Sequence, residues 1–370
     1  IKMKNTFGNS VTLAITGESH GPAVSAVIDG IGPGIPVNEK EISAMLLRRR
    51  PKNALDTPRR EEDEFKILSG VFDDKTTGTP ILITIPNSQQ RSSDYSDTRW
   101  LARPSHADFS AFSKYHGFED WRGGGHFSGR ITAAVTAAGA IFLSALKNLD
   151  ISLGSHVLRC AGVSDDTFGE DIKSDIERLS RTGFPVIDPK KEEKMNKAIA
   201  AAAKEHDSVG GITETAVINL PSGVGEPFFD SSESMLSHAI FSIGGIKGIE
   251  FGAGFSSADM RGSDFNDAFF VSDGKIKTAT NNNGGINGGI SNGMPIIFRC
   301  AVKPTPSIAR PQKTVDMLSG ENAELCIKGR HDPAIIRRIC PVIDSITAAV
   351  LCDLLALRYG TDVFTKGVLK

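Results

Sequence analysis

The sequence contains few cysteines, and their spacing argues against sites that depend on paired thiolates. No two of them form a CxxC pair, and the count is odd. Neither a disulfide framework nor a cysteine-based zinc site is therefore supported, and we expect no bound metal. Free thiols in a reducing compartment are the preferred interpretation. The five cysteines are Cys160, Cys300, Cys326, Cys340 and Cys352.

The sequence also lacks a strong excess of charge and a long apolar run. The formal net charge is −2 over 370 residues, so no global field favours nucleic acid. No apolar core follows a basic start near Met3, so no signal peptide is expected. The longest apolar stretch, residues 131–146, is interrupted by Thr132, Thr136 and Ser144, and it is short for a bilayer span. These features predict a cytoplasmic protein that binds neither nucleic acid nor membrane.

Hydrophobic patterning predicts strands and helices that follow no regular βαβ rhythm. Strands are expected at residues 11–16, 65–69, 80–85, 214–220 and 295–302. Helices are expected from the N-cap Asn38 to the basic run ending at Arg50, and at residues 130–149, 190–206, 232–241 and 333–359. This order of elements favours an α+β fold, with helices packed on antiparallel sheets, in one domain.

Three details of this prediction depend on short patterns. The alternation of polar and apolar residues at 214–220 is typical of a half-buried antiparallel strand. Pro341 is expected to kink or break the last helix. The polar stretch at residues 275–283 is interpreted as a loop.

Two glycine-rich segments indicate close approach to a ligand. Residues 123–130 lead into the apolar helix, and residues 284–293 hold a second group of glycines. Glycines let the backbone approach a flat or phosphorylated group, and a helix start favours an anion. Neither segment fits a dinucleotide-binding or P-loop motif, so tight turns are an equal alternative for each. Two such segments in one domain favour a large ligand.

Arginines lie beside turns marked by glycine or proline, where guanidinium groups can bind phosphate or carboxylate. For the run at residues 48–50, a favourable interaction with a helix dipole is the alternative for at least one member. The arginines in question are Arg48, Arg49, Arg50, Arg59, Arg60, Arg103, Arg130 and Arg330.

Three histidines lie in compact motifs with glycine or proline nearby: His20, His106 and His331. Histidine exchanges protons near neutral pH, so these side chains are candidates for acid–base chemistry. A structural role is the alternative for any one of them. No metal-binding spacing such as H-E-x-x-H is present.

Residues 17–21 also fit the G-x-S-x-G pattern of a serine hydrolase, with Ser19 as the nucleophile. That motif follows a deep strand of a parallel sheet, and only sixteen residues precede Gly17. Pro22 and Pro33 stand where a nucleophile-bearing helix would follow. A hydrolase is therefore the weaker hypothesis.

Many motifs, in the same order along the chain, resemble the chorismate synthase family over residues 7–357. They include GESHG at 17–21, RPSHAD at 103–108, RGGGHFSGR at 122–130, KPTPS at 303–307 and GRHDP at 329–333. Agreement of so many ordered motifs is far more specific than any single pattern.

The resemblance implies a lyase that converts 5-enolpyruvylshikimate-3-phosphate to chorismate and phosphate by a 1,4-anti elimination, the last common step of the shikimate pathway. The reaction requires reduced FMN although no net redox change occurs, and NADPH is a candidate reductant. The implied fold is a four-layer β-α-α-β sandwich with long central helices between antiparallel sheets. One domain would span residues 1–370, with a core at 7–357 and a peripheral C-terminal tail. Family members usually form homotetramers.

The resemblance also assigns roles to residues of this sequence. His20, helped by Ser19, would protonate the leaving phosphate, and His106 would stabilise the reduced flavin ring. Asp332 matches an acid that relays the proton from the flavin N5. Arg49 is the position carried over for NADPH. The substrate has a phosphate and two carboxylates, and the arginines that match its binding positions are Arg50, Arg103, Arg130 and Arg330.

The FMN positions carry over with some departures from the family pattern. They are His126, Phe127, Ser128, Gly244, Gly245, Gly288, Lys303, Pro304, Thr305, Pro306, Ser307 and Arg330. Residues 126–130 read HFSGR where many members have RSSAR, Gly244-Gly245 replaces a pair such as Asn-Ala, and Leu55 stands where some members carry arginine.

An FMN-binding paralogue without activity is the second alternative. His20, His106 and Asp332 are all present, which argues against a paralogue that has lost its chemistry.

Overall fold

The structure, a computed structural model, describes residues 4–51, 62–88, 99–327 and 332–365. Over these ranges the chain is mixed α and β, and both five-stranded sheets are antiparallel. The strands are β1 (Thr6–Phe7), β2 (Thr12–Gly17), β3 (Ala23–Asp29), β4 (Lys66–Ser69), β5 (Val71–Phe72), β6 (Lys75–Thr76), β7 (Ile81–Pro86), β8 (Ser152–Cys160), β9 (Val163–Ser164), β10 (Gly211–Ile218), β11 (Ile246–Phe251), β12 (Phe269–Ser272), β13 (Lys275–Thr278), β14 (Ile286–Asn287), β15 (Ile290–Ser291), β16 (Ile296–Val302), β17 (Gln312–Val315) and β18 (Asn322–Leu325). The helices are α1 (Glu39–Arg49), α2 (Asp108–Tyr115), α3 (Thr132–Lys147), α4 (Ile172–Leu179), α5 (Pro189–Lys204), α6 (Ser232–Ile240), α7 (Gly262–Phe265) and α8 (Ile336–Tyr359).

The strands and helices predicted from the sequence are all present, and their ends lie within three residues of the predicted ones. α1 illustrates why. Asn38 accepts a hydrogen bond from the Lys40 N–H at 2.9 Å, and Glu39 and Glu41 lie in the first turn, where the helix dipole favours acids. The helix then ends at Arg49, two residues before a proline that cannot continue it.

The first sheet brings the ends of three strands together beside one turn. Its strand order is β1-β2-β3-β7-β4. Gly17, at the end of β2, pairs with Val24, and Ala23, at the start of β3, pairs with Pro86 at the end of β7. The turn at residues 18–22 and the segment after Pro86 therefore lie at the same end of the sheet.

The second sheet gathers three other segments at one of its ends. Its strand order is β11-β16-β10-β8-β9. Val302, the last residue of β16, pairs with Gly211 of β10 and with Ile246 of β11. The segments 207–210, 244–245 and 303–307 therefore lie next to one another.

Helices α3 and α8 cross in close contact between the two sheets. α3 packs against β3 and β7, and α8 packs against β8 and β10. A Cβ atom on Gly139 would lie 2.1 Å from Ser345 Oγ and 2.7 Å from Ser345 Cα, so the approach requires glycine. Beyond this crossing, Cys352 Sγ donates to the Phe142 carbonyl at 3.7 Å.

Both of these helices are long and apolar enough to cross a membrane. The most apolar windows lie in the segments Gly129–Lys147 and Ile336–Tyr359, and they are 72% and 100% buried inside the protein. Such burial is typical of core helices, and it accounts for their composition.

The antiparallel strand predicted at residues 214–220 is present, but the prediction that it is half-buried is wrong. β10 is the central strand of its sheet, and Thr213, Glu214 and Thr215 are each at most 2% exposed. Thr215 Oγ1 shares a 2.8 Å hydrogen bond with Ser155 Oγ, and Glu214 Oε2 lies 3.1 Å from the ring of His156. The polar residues in this alternation therefore make buried polar contacts instead of facing solvent.

Two other details differ from the prediction. Of the kink or break expected at Pro341, the break does not occur: α8 is continuous from Ile336, and the missing N–H removes a single hydrogen bond near its start. The predicted loop at residues 275–283 begins with strand β13, which pairs with β12. Asp273 and Gly274 connect the two strands with φ values of 52° and 72°, as a tight hairpin turn requires.

His156, on strand β8 of the second sheet, is buried between two carboxylates. Its Nδ1 is 3.4 Å from Asp165 Oδ2 and its Nε2 is 3.1 Å from Glu214 Oε2, and the residue is 0% exposed. Burial alone would lower the pKa of His156. The hydrogen bonds and charges of Asp165 and Glu214 outweigh burial and raise this pKa above its ordinary value of 6.5.

Gly139→Ala is expected to destabilise the protein, because the added methyl group forces α3 away from Ser345. Overpacking of this kind costs about 1–3 kcal/mol, measurable as a lower urea midpoint. Gly262→Ala is the control, since a Cβ there meets nothing within 4 Å. Wild-type stability in Gly139→Ala would mean that the two helices separate without cost.

The free energy of unfolding is expected to contain a contribution from His156 that is lost at alkaline pH. A raised folded pKa stabilises fully below the unfolded value of 6.5 and stops doing so as pH rises through the folded value. Each pKa unit between the folded and unfolded states is worth about 1.4 kcal/mol of unfolding free energy. Urea unfolding between about pH 5 and about pH 9 measures the contribution. It should vanish in His156→Gln and persist in the exposed-site variant His206→Asn; the same pH dependence in His156→Gln would contradict it.

Candidate active site

A tight turn after β2 carries Ser19 and His20, which are 9% and 5% exposed. Ser19 Oγ lies 3.1 Å from His20 Nδ1, and 3.1 Å and 3.2 Å from the carbonyl oxygens of Arg122 and Gly123. Because a carbonyl oxygen only accepts, the hydroxyl proton goes to one of these two oxygens, and Oγ accepts from His20 Nδ1. In the neutral ring the proton is therefore held at Nδ1, and Nε2 is the nitrogen that gains and loses a proton.

This hydrogen-bond direction argues against Ser19 as a nucleophile. A nucleophilic serine donates its hydroxyl hydrogen bond to a base, whereas Ser19 Oγ accepts a hydrogen bond from its neighbouring histidine. In addition, β2 belongs to an antiparallel sheet, while the hydrolase motif follows a strand of a parallel sheet.

The first glycine-rich segment covers the Ser19–His20 turn. It forms the 3-10 turn Arg122–Phe127, with positive φ values at Gly123, Gly124 and Gly125. A Cβ atom on Gly123 would lie 2.2 Å from His20 Cε1, and the Ser19 N–H donates to the Gly125 carbonyl at 3.1 Å. The glycines are therefore needed for the backbone to lie directly on the histidine ring.

The buried carboxylate of Asp63 forms ion pairs with three guanidinium groups. Its carboxylate accepts from Arg49 Nη2 at 3.2 Å, from Arg50 Nε at 3.3 Å and from Arg130 Nη1, and the residue is 4% exposed. Burial alone would raise the pKa of Asp63, but the positive charges of Arg49 and Arg130 lower it below its ordinary value. With three cations around one anion, the cluster keeps an excess of positive charge that suits an anionic ligand.

Arg49 joins the N-terminal ends of α3 and α8. Its Nη1 lies 3.5 Å from the Gly129 carbonyl and 3.4 Å from Thr132 Oγ1, and its own carbonyl accepts from Arg338 Nε at 2.9 Å. Burial lowers the pKa of Arg49 to about 10, so the group is still charged at neutral pH. Arg338 in turn pairs with Asp332, which places this predicted catalytic acid beside the arginine cluster.

Arg103 lies near the glycine-rich segment. Its Nε and Nη2 each donate to Asp108 at 2.7 Å, and Nη2 would be 3.7 Å from a Cβ on Gly124. Burial alone would raise the pKa of Asp108, but the hydrogen bonds and charge of Arg103 lower it. This bidentate pair fixes the direction of the guanidinium group.

His106 belongs to a second group of predicted site residues, at the end of β16. Its Nε2 lies 2.8 Å from Ser307 Oγ, and Lys303 Nζ donates to the Ser105 carbonyl at 2.6 Å. The Lys303 N–H donates to the Gly245 carbonyl at 2.9 Å. The segments 105–106, 244–245 and 303–307, distant in the sequence, therefore form one surface.

This second group has features that fit a polar ligand such as a flavin mononucleotide. Thr305 Oγ1 is buried and has no hydrogen-bond partner among the described residues, a state that costs free energy until a ligand or water satisfies it. A Cβ on Gly244 would meet nothing within 4 Å, so space is open there. Burial and the charge of Lys247 lower the pKa of Lys303 below its ordinary value.

The other predicted cofactor residues lie in different places. His126 Nδ1 donates to the Gly17 carbonyl at 2.7 Å, and Ser128 Oγ accepts from the Arg130 N–H at 3.3 Å, so both contact the first group. Phe127 is 48% exposed beside Tyr115. Gly288 lies in the β14–β15 turn, whose neighbour Gly285 contacts Pro295 at the start of β16.

Sequence reasoning missed three residues that organise the site: Asp63, Asn87 and Arg338. The one local signal was the position of Asn87 two residues after the strand predicted at residues 80–85. Arg330 and His331 lie outside the described residues, as do Leu55, Arg59 and Arg60.

The comparisons with known proteins agree on one family. The sequence matches the family described as chorismate synthase over residues 11–356. A chorismate synthase from Methanosarcina mazei is 45% identical over 351 residues, covering 94% of this chain and 95% of that protein. One from Archaeoglobus fulgidus is 43% identical over 354 residues, covering 96% and 98%. A crystal structure of a chorismate synthase has a TM-score of 0.74 and 29% identity, covering 96% of this chain and 94% of that one.

Coverage of nearly the whole chain leaves the hydrolase and the inactive-paralogue alternatives without support. The family match extends from the strand before the Ser19–His20 turn into the last helix, so the resemblance is not confined to one motif. The chain belongs to the chorismate synthase family.

Proposed function

We propose that the residues around the Ser19–His20 turn carry out the family reaction, in which 5-enolpyruvylshikimate-3-phosphate loses phosphate and a proton to give chorismate. The chain is a carbon–oxygen lyase of the shikimate pathway. The observation that carries the assignment of the site is the cluster of three arginines around Asp63, next to the glycine segment that covers His20.

His20 is proposed as the acid that assists the loss of phosphate. Cleavage of the C3–O bond leaves negative charge on the departing oxygen, and a protonated histidine within hydrogen-bond reach lowers that barrier. The contact with Ser19 holds a proton at Nδ1, so proton exchange falls to Nε2.

The arginines are proposed to bind the phosphate and the two carboxylates of the substrate. Arg50 and Arg130 meet at Asp63, Arg103 lies by Gly124, and Arg330 completes the set from the family resemblance. The N-terminal ends of α3 and α8 lie beside Arg49, and their dipoles add further positive potential. A substrate with several negative charges therefore meets a field of opposite sign.

The family implies a requirement for reduced flavin, and we propose that this flavin is FMN. When bound, the reduced flavin would supply electron density that weakens the C3–O bond and a base for the C6 proton. Thr305, with its unpartnered hydroxyl, and the open space at Gly244 support binding at the second group. The residues proposed to hold the cofactor are His126, Phe127, Ser128, Gly244, Gly245, Gly288, Lys303, Pro304, Thr305, Pro306, Ser307 and Arg330.

His106 and Asp332 are proposed to manage charge and protons beside the flavin. Ser307 Oγ holds the His106 ring at 2.8 Å, and a histidine there can stabilise negative charge on the ring. Asp332 is oriented by its ion pair with Arg338, and we propose that it carries away the proton. NADPH remains the proposed reductant. Arg49, its proposed contact, is 7% exposed and pairs with Asp63, so a nucleotide would have to displace that pair.

We further propose that the chain forms a single four-layer β-α-α-β domain over residues 1–370, with its core at 7–357. The contacts of the first sheet with α3, of α3 with α8, and of α8 with the second sheet support this order of layers.

A homotetramer is proposed because several large apolar side chains are exposed, one of them on the hairpin β12–β13. Phe228, Phe229, Phe255 and Phe269 are 86%, 91%, 83% and 66% exposed. Other copies of the chain would remove this apolar area from water, which favours association. A cytoplasmic location is proposed in keeping with a biosynthetic enzyme.

Anaerobic turnover tests the proposed reaction. With chemically reduced FMN, the protein is expected to release chorismate and phosphate in equal amounts from 5-enolpyruvylshikimate-3-phosphate, because elimination yields one of each. Chorismate absorbance and a phosphate assay measure both products. Oxidised FMN is the control and should give neither; FMN binding without product would contradict the proposal.

His20→Ala and Asp332→Asn test the proton roles. Each is expected to lower kcat by about 100- to 10,000-fold, the usual contribution of a positioned acid or base. FMN affinity, measured by flavin fluorescence, should stay near the wild-type value. His238→Ala is the matched control, since that exposed ring packs on Phe7. Wild-type turnover in both variants would refute the proton assignments and leave the family intact.

A further inference from the structure

Asn87 connects the turn that carries His20 with the arginine cluster. It follows β7 directly, and its backbone N–H donates to the Pro22 carbonyl at 3.0 Å. Its side-chain Nδ2 donates to the carbonyl oxygens of Glu18 at 2.9 Å and Gly21 at 2.8 Å. These two oxygens lie on either side of Ser19 and His20 in the chain, so one amide group spans the whole turn.

The other half of the same amide holds Arg130. Asn87 Oδ1 accepts from Arg130 Nε at 2.8 Å. The partners fix the orientation of the amide, because the reverse orientation would set its oxygen against two carbonyl oxygens and its NH2 against a guanidinium N–H. A side chain at this position must therefore donate twice and accept once, and asparagine does both.

Arg130 is held from a second side by the buried carboxylate. Its Nη1 donates to Asp63, and its Nη2 donates to the Pro86 carbonyl at 3.1 Å, one residue before Asn87. All three of its guanidinium nitrogens therefore donate to a fixed acceptor, so the plane of the group has little freedom to rotate.

We propose that Asn87 is a positioning residue for the lyase reaction, which sets the Ser19–His20 turn at a fixed distance from the Arg130 guanidinium. The inference rests on the proposed function, in which His20 donates a proton to a phosphate that arginines hold. Displacement of a reacting group by about 1 Å can cost about a hundredfold in rate, so a single amide that spans both elements has a direct effect on kcat.

A double-mutant cycle separates this role from general destabilisation. Asn87→Ala is expected to lower kcat about ten- to hundredfold in the wild-type background, because the turn loses both of its donors. In the His20→Ala background the same change should lower kcat less than about twofold, since groups that act as a unit are not additive. Asn87→Ala also removes the acceptor of Arg130 Nε, which is proposed to bind the substrate, so KM is expected to rise in both backgrounds. If Asn87→Ala does not fold, Asn87→Asp removes the same two donors and enters the kcat cycle in its place.

Hydrogen exchange provides a readout that does not require turnover. In Asn87→Ala, amide exchange of the peptide that contains residues 18–21 should accelerate. Asn148→Ala is the matched control: this asparagine also donates its side-chain NH2 to a carbonyl, that of Phe364 at 3.1 Å, but at the opposite end of α3 from Arg130. It should leave kcat, KM and exchange in the turn unchanged.

The outcomes distinguish the inference from the function on which it rests. A kcat loss confined to the background with His20, together with faster exchange in the turn, supports the role. An equal loss in both backgrounds, or no change in kcat and exchange, overturns it. If the wild-type protein forms no chorismate, the proposed function fails, and the exchange experiment alone then decides whether Asn87 holds the turn.

Discussion

The crossing of α3 and α8 is the contact on which the active site depends. Gly139 lets Ser345 approach without a side chain between the helices, and beyond the crossing Phe142 meets Cys352, so the two helices run in the same general direction. Their N-terminal ends consequently lie at one end of the protein, where Arg49 contacts both. A change at the crossing would alter the distance between Arg130, before α3, and Asp332, before α8, because helices transmit displacement with little bending.

Charge is distributed in this site for binding and at some cost to stability. Three guanidinium groups around the Asp63 carboxylate repel one another, and burial removes part of the water that would screen them. Such an arrangement is reasonable when the ligand is an anion with several charges, since its phosphate and carboxylates relieve the repulsion. The second group has a related property, because the buried Thr305 hydroxyl has no hydrogen-bond partner among the described residues.

Prediction of the fold from the sequence succeeded where the pattern was local and failed where neighbours decided the outcome. The N-cap Asn38 and the apolar helix α3 are visible in short windows, and both are present. β10 alternates like a surface strand but is buried on both faces, because Asp344 of α8 contacts the face with Ser155 and Thr215, and Phe168 contacts Glu214 on the other. The turn at Asp273–Gly274 was a local hairpin signal that the polar composition around it concealed.

The sequence by itself determined the family, the order of motifs and the chemical types in the site: histidines, arginines and glycines in compact turns. Only the tertiary structure decided which carboxylate the arginines share, which amide joins Arg130 to the turn of His20, and that Ser19 accepts a hydrogen bond from the histidine instead of donating one to it. The physical reason is distance along the chain. Arg130 meets Asp63 across 67 residues, and Asn87 meets Glu18 across 69. Contacts between residues so far apart leave no periodic or local pattern, because they exist only after the sheets and helices have packed.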